Sequence, residues 1–248
     1  MDAIILAAGD SRRFLRDSGT HKLSIRINRI PLICYPITSL SLANASSIVI
    51  IVSQITKSLV REAIVQCPYS SEIEWIKVNN ETWRDNGYTL LLGLEDIVSH
   101  KSLFLVSMSD HIYPPIIPLA IKNISQPCIG ADSNPKFINI GEATKIRILD
   151  DNNIVIGKKV RNYDYVDVGV HQLSTRLDFS KCRRKFLLKM TELLYCIFNK
   201  NFKIIDLKGT PWIDIDILED YINAVEGQAR RVIDMVMESW RTMGITTG

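Results

Sequence analysis

Residues 2–14 read Asp2-Ala3-Ile4-Ile5-Leu6-Ala7-Ala8-Gly9-Asp10-Ser11-Arg12-Arg13-Phe14, with His21-Lys22 close behind. An apolar run of strand length, Ala3 to Ala8, ends in small residues and then turns polar. Small residues at 7, 8 and 9 let the backbone come within hydrogen-bonding distance of an anion, because no side chain stands between the two. Arg13 as a planar fork and Lys22 as a mobile point charge can then face a polyphosphate. The stretch reads as a phosphate-binding loop. It also fits a buried first strand that ends in a glycine turn with surface arginines, since short glycine motifs match by chance.

Working outward, Pro31 precedes an apolar-rich helix over 32–42. Ser47 to Ser53 is a β-branched run suited to a strand covered on both faces, as in a parallel sheet. Helical spacing follows over 56–66, a third strand over 74–78, a helix over 88–98 and a fourth buried strand over 103–108. Strand and helix thus alternate through the first 110 residues, which predicts an α/β domain with a mostly parallel sheet. Ligands in such sheets bind beyond the carboxyl ends of the strands. Both the opening loop and Asp110, just past the fourth strand, fall there. A carboxylate in that position is suited to meet a metal ion alongside substrate phosphate, or to cap the next turn.

The middle third changes character. Short β-rich pieces at 137–140, 144–149, 154–156 and 166–173, with the turn Asp150-Asp151-Asn152-Asn153 between them, predict a small antiparallel lobe. A helix over 183–199, opened by the basic cluster Lys181 to Lys185, and a strand over 202–207 follow. Then comes Trp212-Ile213-Asp214-Ile215-Asp216. In an extended segment both of these carboxylates point to one face and repel each other unless a cation sits near them. The final stretch to Trp240 reads as helical with a break at Gly227. The whole chain reads as one domain: a nucleotide-binding part at 1–113, a β-rich acceptor part at 114–180, and a return to the core with C-terminal helices at 181–248. Disorder is not expected anywhere outside the last residues, 245–248.

With 30 basic and 27 acidic residues the net charge is only +3, too balanced to argue for nucleic acid. The basic cluster reads as a solvated helix face. The five cysteines are scattered without metal-ligand spacing and read as reduced thiols in a cytoplasmic protein. No apolar run approaches the roughly 18 residues of a membrane span, so the protein is expected to be soluble and not membrane-embedded.

Taken together and in this order, Leu6-Ala7-Ala8-Gly9 with Arg13, Lys22, Ser109-Asp110 and Trp212 to Asp216 resemble the nucleotidylyltransferases of the Rossmann-like, glycosyltransferase-A type fold. Asn86-Gly87-Tyr88-Thr89-Leu90, Met108 to Tyr113, Glu142-Ala143-Thr144-Lys145 and Val166-Asp167-Val168-Gly169 are similar to the archaeal inositol-1-phosphate cytidylyltransferases, over about residues 1–215. The resemblance implies a three-layer α/β/α fold whose mixed sheet carries a small acceptor-binding lobe. It also implies transfer from CTP to a phosphorylated alcohol, inositol 1-phosphate, with Mg²⁺.

By that resemblance Leu6, Ala7, Ala8, Gly9, Asp10 and Ser11 wrap the nucleotide, Arg13 and Lys22 contact its phosphates, and Asn86 with Gly87 lies near the pyrimidine. Asp110 holds the metal with a second acid from Asp214 and Asp216, Asp214 being favoured. Lys145, Lys158 and Asp167 meet the acceptor. His21 and His111 form local hydrogen bonds, since no proton must leave the attacking phosphate. Family members are often fused to a membrane-embedded synthase, which here would be a separate partner. Many sugar-nucleotide members carry glycine where this chain has Ser11, whereas serine occurs in the molybdenum-cofactor branch. Guanylyl or cytidylyl transfer to a sugar phosphate, choline phosphate or cofactor precursor therefore stays open, as does a non-catalytic nucleotide-binding module.

Overall fold

The computed structural model describes residues 1–95, 102–150 and 153–245. The chain opens with strand β1 (Asp2–Ala7), helix α1 (Arg12–Ser18) and a hairpin of two short strands, β2 (Arg26–Ile27) and β3 (Ile30–Pro31). Next come α2 (Cys34–Leu42), β4 (Ser47–Val52), α3 (Thr56–Ile64), β5 (Glu72–Val78), α4 (Asp85–Leu94) and β6 (Leu103–Met108). The middle of the chain forms β7 (His111–Ile112), α5 (Ile116–Lys122), β8 (Cys128–Asp132), β9 (Lys145–Asp150), β10 (Asn153–Gly157) and β11 (Tyr165–Ser174). It closes with α6 (Ser180–Arg183), α7 (Met190–Ile197), β12 (Lys203–Asp206), β13 (Ile213–Asp214), α8 (Leu218–Glu226) and α9 (Arg230–Thr242).

The main sheet runs β10-β9-β11-β6-β1-β4-β5, with β8 pairing β11 and β12 beside this path. Strands β6, β1, β4 and β5 are parallel, whereas β11 is antiparallel to β6, β8 and β9, and β9 to β10. The expected mostly parallel sheet with an antiparallel lobe is therefore present. Side chains of a strand alternate between faces, and β1 displays this. Ala3, Ile5 and Ala7 join the core under α2, α3 and α5, while Ile4 and Leu6 join the core under α4, α6 and α7. Burial on both faces explains why β1 and β4 are uninterrupted apolar runs. A third cluster packs α1, α8 and α9 against α2, with Tyr35 and Trp240 in ring contact at 5.3 Å.

Several expected elements differ. Residues 137–140 form turns rather than a strand, and β8, a five-residue strand, was not apparent in the sequence. The basic cluster does not open a long helix: α6 ends at Arg183 and α7 begins at Met190. Residues 96–98 of the helix expected over 88–98, the turn residues Asp151 and Asn152, and 246–248 of the tail lie outside the described residues. Cys34 and Cys67 are joined in a disulfide, which corrects the reading of all five cysteines as reduced. Packing causes it: the start of α2 lies against the turn after α3, with Cα atoms 4.9 Å apart, a closeness that spacing along the chain did not reveal. Cys128 and Cys182 are buried free thiols. Among the described residues no helix is long and apolar enough to cross a membrane.

Candidate active site

A cavity of about 1280 Å³ opens at the carboxyl ends of the parallel strands, where open α/β sheets bind ligands. Leu6, Ala8, Gly9, Asp10, Arg13 and Lys22 line it on the β1 side. Met108, Ser109 and Asp110 contribute from the end of β6, and Lys158 and Asp167 from the antiparallel lobe. Asp214 and Asp216 close the floor, and Asn86 stands on the far wall. The cavity thus brings together most of the residues expected from the sequence. Ala7, Ser11, Gly87 and Lys145 do not line it.

The loop after β1 is held from below by His21. Its Nε2–H donates to the Gly9 carbonyl at 3.0 Å, and Nδ1 accepts from the Leu23 amide at 3.1 Å. This pattern fixes the neutral tautomer, and burial lowers the His21 pKa in the same direction. Ser11, whose Oγ is 3.1 Å from His21 Nε2, sits at φ 56° and ψ 29°, in the left-handed region. Glycine adopts that conformation freely, whereas a residue with a Cβ does so at a cost.

Lys22 is the hub of the floor. Its ammonium donates to Asp110 and lies 3.4 Å from Asp216, with the Lys22 and Asp110 side chains each only 14% exposed. Burial works against the ammonium, but the two carboxylates outweigh it and raise the Lys22 pKa. Burial likewise works against the Asp110 carboxylate, and Lys22 with His111 outweighs it and holds its pKa low. Asp216 also receives Arg13 at 2.6 Å and Lys158 at 3.5 Å, and Arg13 continues to Glu142 at 2.9 Å. The backbone amides of Asp216 and Ile217 both donate to Asp220 at 2.9 Å, which fixes the bend that turns Asp216 inward. Glu142 and Asp220 were not singled out from sequence. Glu142 lay inside a recognised motif, and Asp220 sits in the first turn of α8.

Asp110 is braced by His111, whose Nδ1 is 2.8 Å from Asp110 Oδ1 and whose ring stacks on Trp212 with centroids 6.0 Å apart and planes 4° apart. Trp212 in turn donates its indole N–H to Asp132 at 3.0 Å. Asp214 stands apart from Lys22. Burial, together with the neighbouring carboxylates of Asp216, Asp110 and Asp220 and against the opposing effect of His111, lifts its pKa to about 6. The sequence favoured Asp214 as the partner of Asp110, but in the structure Asp216 shares the cation with it.

Among the described residues no three His, Cys, Asp or Glu side chains converge as a ready metal cluster. Asp110 and Asp216 nevertheless fit Mg²⁺. They are hard oxygen donors already sharing one cation, and Mg²⁺ takes one or two carboxylates and completes its shell with phosphate and water.

On the far wall, Asn86 Oδ1 accepts from the Met190 amide at 2.7 Å, at the start of α7. An added Cβ on Gly87 would lie 2.6 Å from the Lys189 carbonyl oxygen, so Gly87 permits the close approach of α4 to the segment before α7. Lys145 is buried and donates to the Ala143 and Lys158 carbonyls at 3.2 and 2.9 Å, tying β9 to the turn that carries Lys158. Asp167 Oδ1 accepts from the Gly169 amide at 2.9 Å and lies 3.6 Å from the buried His171.

Residues 3–125 match the MobA-like NTP transferase domain. The match covers 123 of the 248 residues. Over 224 residues the chain is 28% identical to a "Bifunctional IPC transferase and DIPP synthase" of Archaeoglobus fulgidus, covering 89% of this chain and 42% of the relative. A protein of the same name from Thermococcus kodakarensis is 26% identical over 88% of this chain and 48% of its own length. The chain thus spans about half the length of the curated relatives it matches. In structure it is similar to the inositol-1-phosphate CTP transferase from T. maritima, with a TM-score of 0.80 at 22% identity over 99% of this chain and 98% of that one. HddC from Yersinia pseudotuberculosis follows the same fold with a TM-score of 0.72 at 20% identity, over 91% of this chain and 98% of that one. This fold is the nucleotidyltransferase Rossmann-like one expected from the sequence.

Proposed function

We propose that the chain joins CTP to inositol 1-phosphate, giving CDP-inositol and pyrophosphate. The observation that carries the reading is the ion-paired floor: Lys22 between Asp110 and Asp216, with the small-residue loop of 8–10 on one side and Lys158 with Asp167 on the other. The curated relatives named for IPC transfer support the choice of substrates. Asn86 supports cytosine: its Oδ1 is committed to Met190, so its amide presents only donors to a ligand. Cytosine offers adjacent acceptors, O2 and N3, whereas the matching edge of guanine offers N–H donors.

In this reading an acceptor phosphate oxygen attacks the α-phosphorus in line, the bond to the bridging oxygen breaks, and pyrophosphate leaves. The phosphate dianion is already a nucleophile, so no side chain needs to act as base. The backbone of 8–11 and the cations of Lys22, Arg13 and Lys158 position the phosphates and offset charge that grows in the transition state. Asp110 and Asp216 would hold Mg²⁺, which when bound neutralises charge on the phosphate oxygens. Lys158 and Asp167 would face the acceptor, with Lys145 supporting that wall from behind. We further read the chain as a single domain working in the cytoplasm on small molecules, not on nucleic acid.

The test is pyrophosphate release from each nucleoside triphosphate with inositol 1-phosphate, glycerol phosphate, choline phosphate and sugar 1-phosphates. Release with CTP and inositol 1-phosphate at least tenfold above every other pair is expected. Preference for GTP with no response to inositol phosphate would reject the reading in favour of guanylyl transfer.

A further inference from the structure

The wall that carries Asn86 also carries an aromatic side chain. Trp83 lies in the turn between β5 and α4, lines the cavity, and is 50% exposed. A half-exposed indole is common on protein surfaces and needs no explanation alone. This one, however, is mounted. The ring of Phe186 packs on it at 4.7 Å, and the Arg84 guanidinium lies 5.9 Å from its centroid. Arg84 is itself fixed, donating to the Lys185 and Phe186 carbonyls at 2.9 and 3.2 Å and lying 3.6 Å over the Tyr88 ring. Tyr88 donates its hydroxyl to Glu81. The indole is therefore held in place before any ligand arrives, which lowers the entropy lost on binding.

Its position in the sheet order says which part of a ligand it meets. The phosphate loop follows β1, which lies between β6 and β4 in the path. On one side lie β6, β11 and the lobe with Glu142, Lys158 and Asp167, charged groups suited to a phosphorylated polyol. On the other side lie β4, β5 and then Thr82, Trp83 and Asn86, an aromatic face beside amide donors. A molecule with its phosphates on the loop can send only its other end toward Trp83. An aromatic face with nearby hydrogen-bond donors suits a planar heterocycle better than a polyol.

We propose that Trp83 is a stacking platform for the nucleobase of the triphosphate substrate. This rests on the nucleotidyl-transfer reading above. Stacking tolerates any base, so Trp83 supplies affinity while Asn86 supplies choice.

The test compares wild type with Trp83→Leu and Trp83→Phe. Titration calorimetry gives the dissociation constants of CTP and inorganic tripolyphosphate, and steady-state assays give kcat and KM. Trp83→Leu is expected to weaken CTP roughly ten- to a hundredfold, the range of base stacking on an aromatic side chain. Tripolyphosphate affinity should be unchanged, kcat should stay within a few-fold, and Trp83→Phe should recover most of the loss. Unchanged CTP affinity in Trp83→Leu overturns the proposal, and so does a parallel loss of tripolyphosphate, which would mark a general distortion of the cavity. Wild-type protein that binds no nucleoside triphosphate at all overturns the functional reading together with it.

Discussion

Lys22 and Asp110, 88 residues apart in the chain, form a shielded ion pair that Asp216 joins from the other side at 3.4 Å. Removing the lysine leaves two carboxylates facing each other without their cation. Breaking a buried pair in this way costs about 3–5 kcal/mol, so Lys22→Met should lower unfolding free energy by about 3 kcal/mol in urea titrations. Turnover should fall by about 10²- to 10³-fold. Mg²⁺ should raise the melting temperature of Lys22→Met more than that of wild type, because the ion would then take the place between the acids. Equal shifts in the two proteins would argue against a metal at Asp110 and Asp216.

Ser11 occupies a left-handed conformation that costs a non-glycine residue about 1–2 kcal/mol. Ser11→Gly removes that strain but also the Oγ contact to His21 and adds chain entropy to the unfolded state. Its stability should lie within about 0.5 kcal/mol of wild type. Ser11→Ala keeps the strain and loses the contact, so thermal melts should order the proteins with Ser11→Ala clearly lowest, by about 1 kcal/mol.

His21 gives the fold a pH dependence whose direction follows from its tautomer. Burial lowers its folded-state pKa, and protonating Nδ1 would remove the acceptor of the Leu23 amide. As pH falls below about 6.5 the unfolded chain takes up the proton before the folded one. The stabilisation is therefore complete above about pH 6.5 and is lost progressively below it. Urea unfolding at pH 7.5 and 5.5 should show a larger drop for wild type than for His21→Gln, and equal drops would contradict the assignment.

Gly169 has φ +71°, and an added Cβ would lie 2.6 Å from His111 Nε2. The His111 ring cannot slide easily, being stacked on Trp212 and bonded to Asp110. Gly169→Ala should therefore destabilise by about 2–3 kcal/mol, combining backbone strain with displacement of the ring. It should also lower kcat about tenfold, since a misplaced catalytic group is costly. A melt and an activity assay on the purified variant check both.

Those parts of the fold governed by local pattern were legible in the sequence. Ala3 to Ala8 and Ile48 to Val52 read as buried parallel strands because both faces are apolar, and Asp110 was placed because it directly follows such a strand. What depended on bends and packing was not legible. β8, Cys128-Ile-Gly-Ala-Asp132, is short and rich in small residues, so it carries no alternation. An extended segment points Asp214 and Asp216 to one face, yet β13 ends at Asp214 and the amides that bond Asp220 turn Asp216 inward. Lys145 carries the charge of a phosphate contact, but only the packed structure shows it spent on two carbonyls. Trp83 is a single residue without periodicity, and nothing local distinguishes it from surface.

The central claim is that an acceptor phosphate attacks the α-phosphorus of CTP. Incubation with inositol 1-phosphate, Mg²⁺ and CTP labelled at either the α- or the γ-phosphorus tests it directly. The α-label should appear in a cytidine-diphosphate-linked product and the γ-label in pyrophosphate, and both should be lost in Asp110→Asn. Transfer of the γ-label to the acceptor, or no turnover of CTP with any phosphorylated alcohol, would contradict the account.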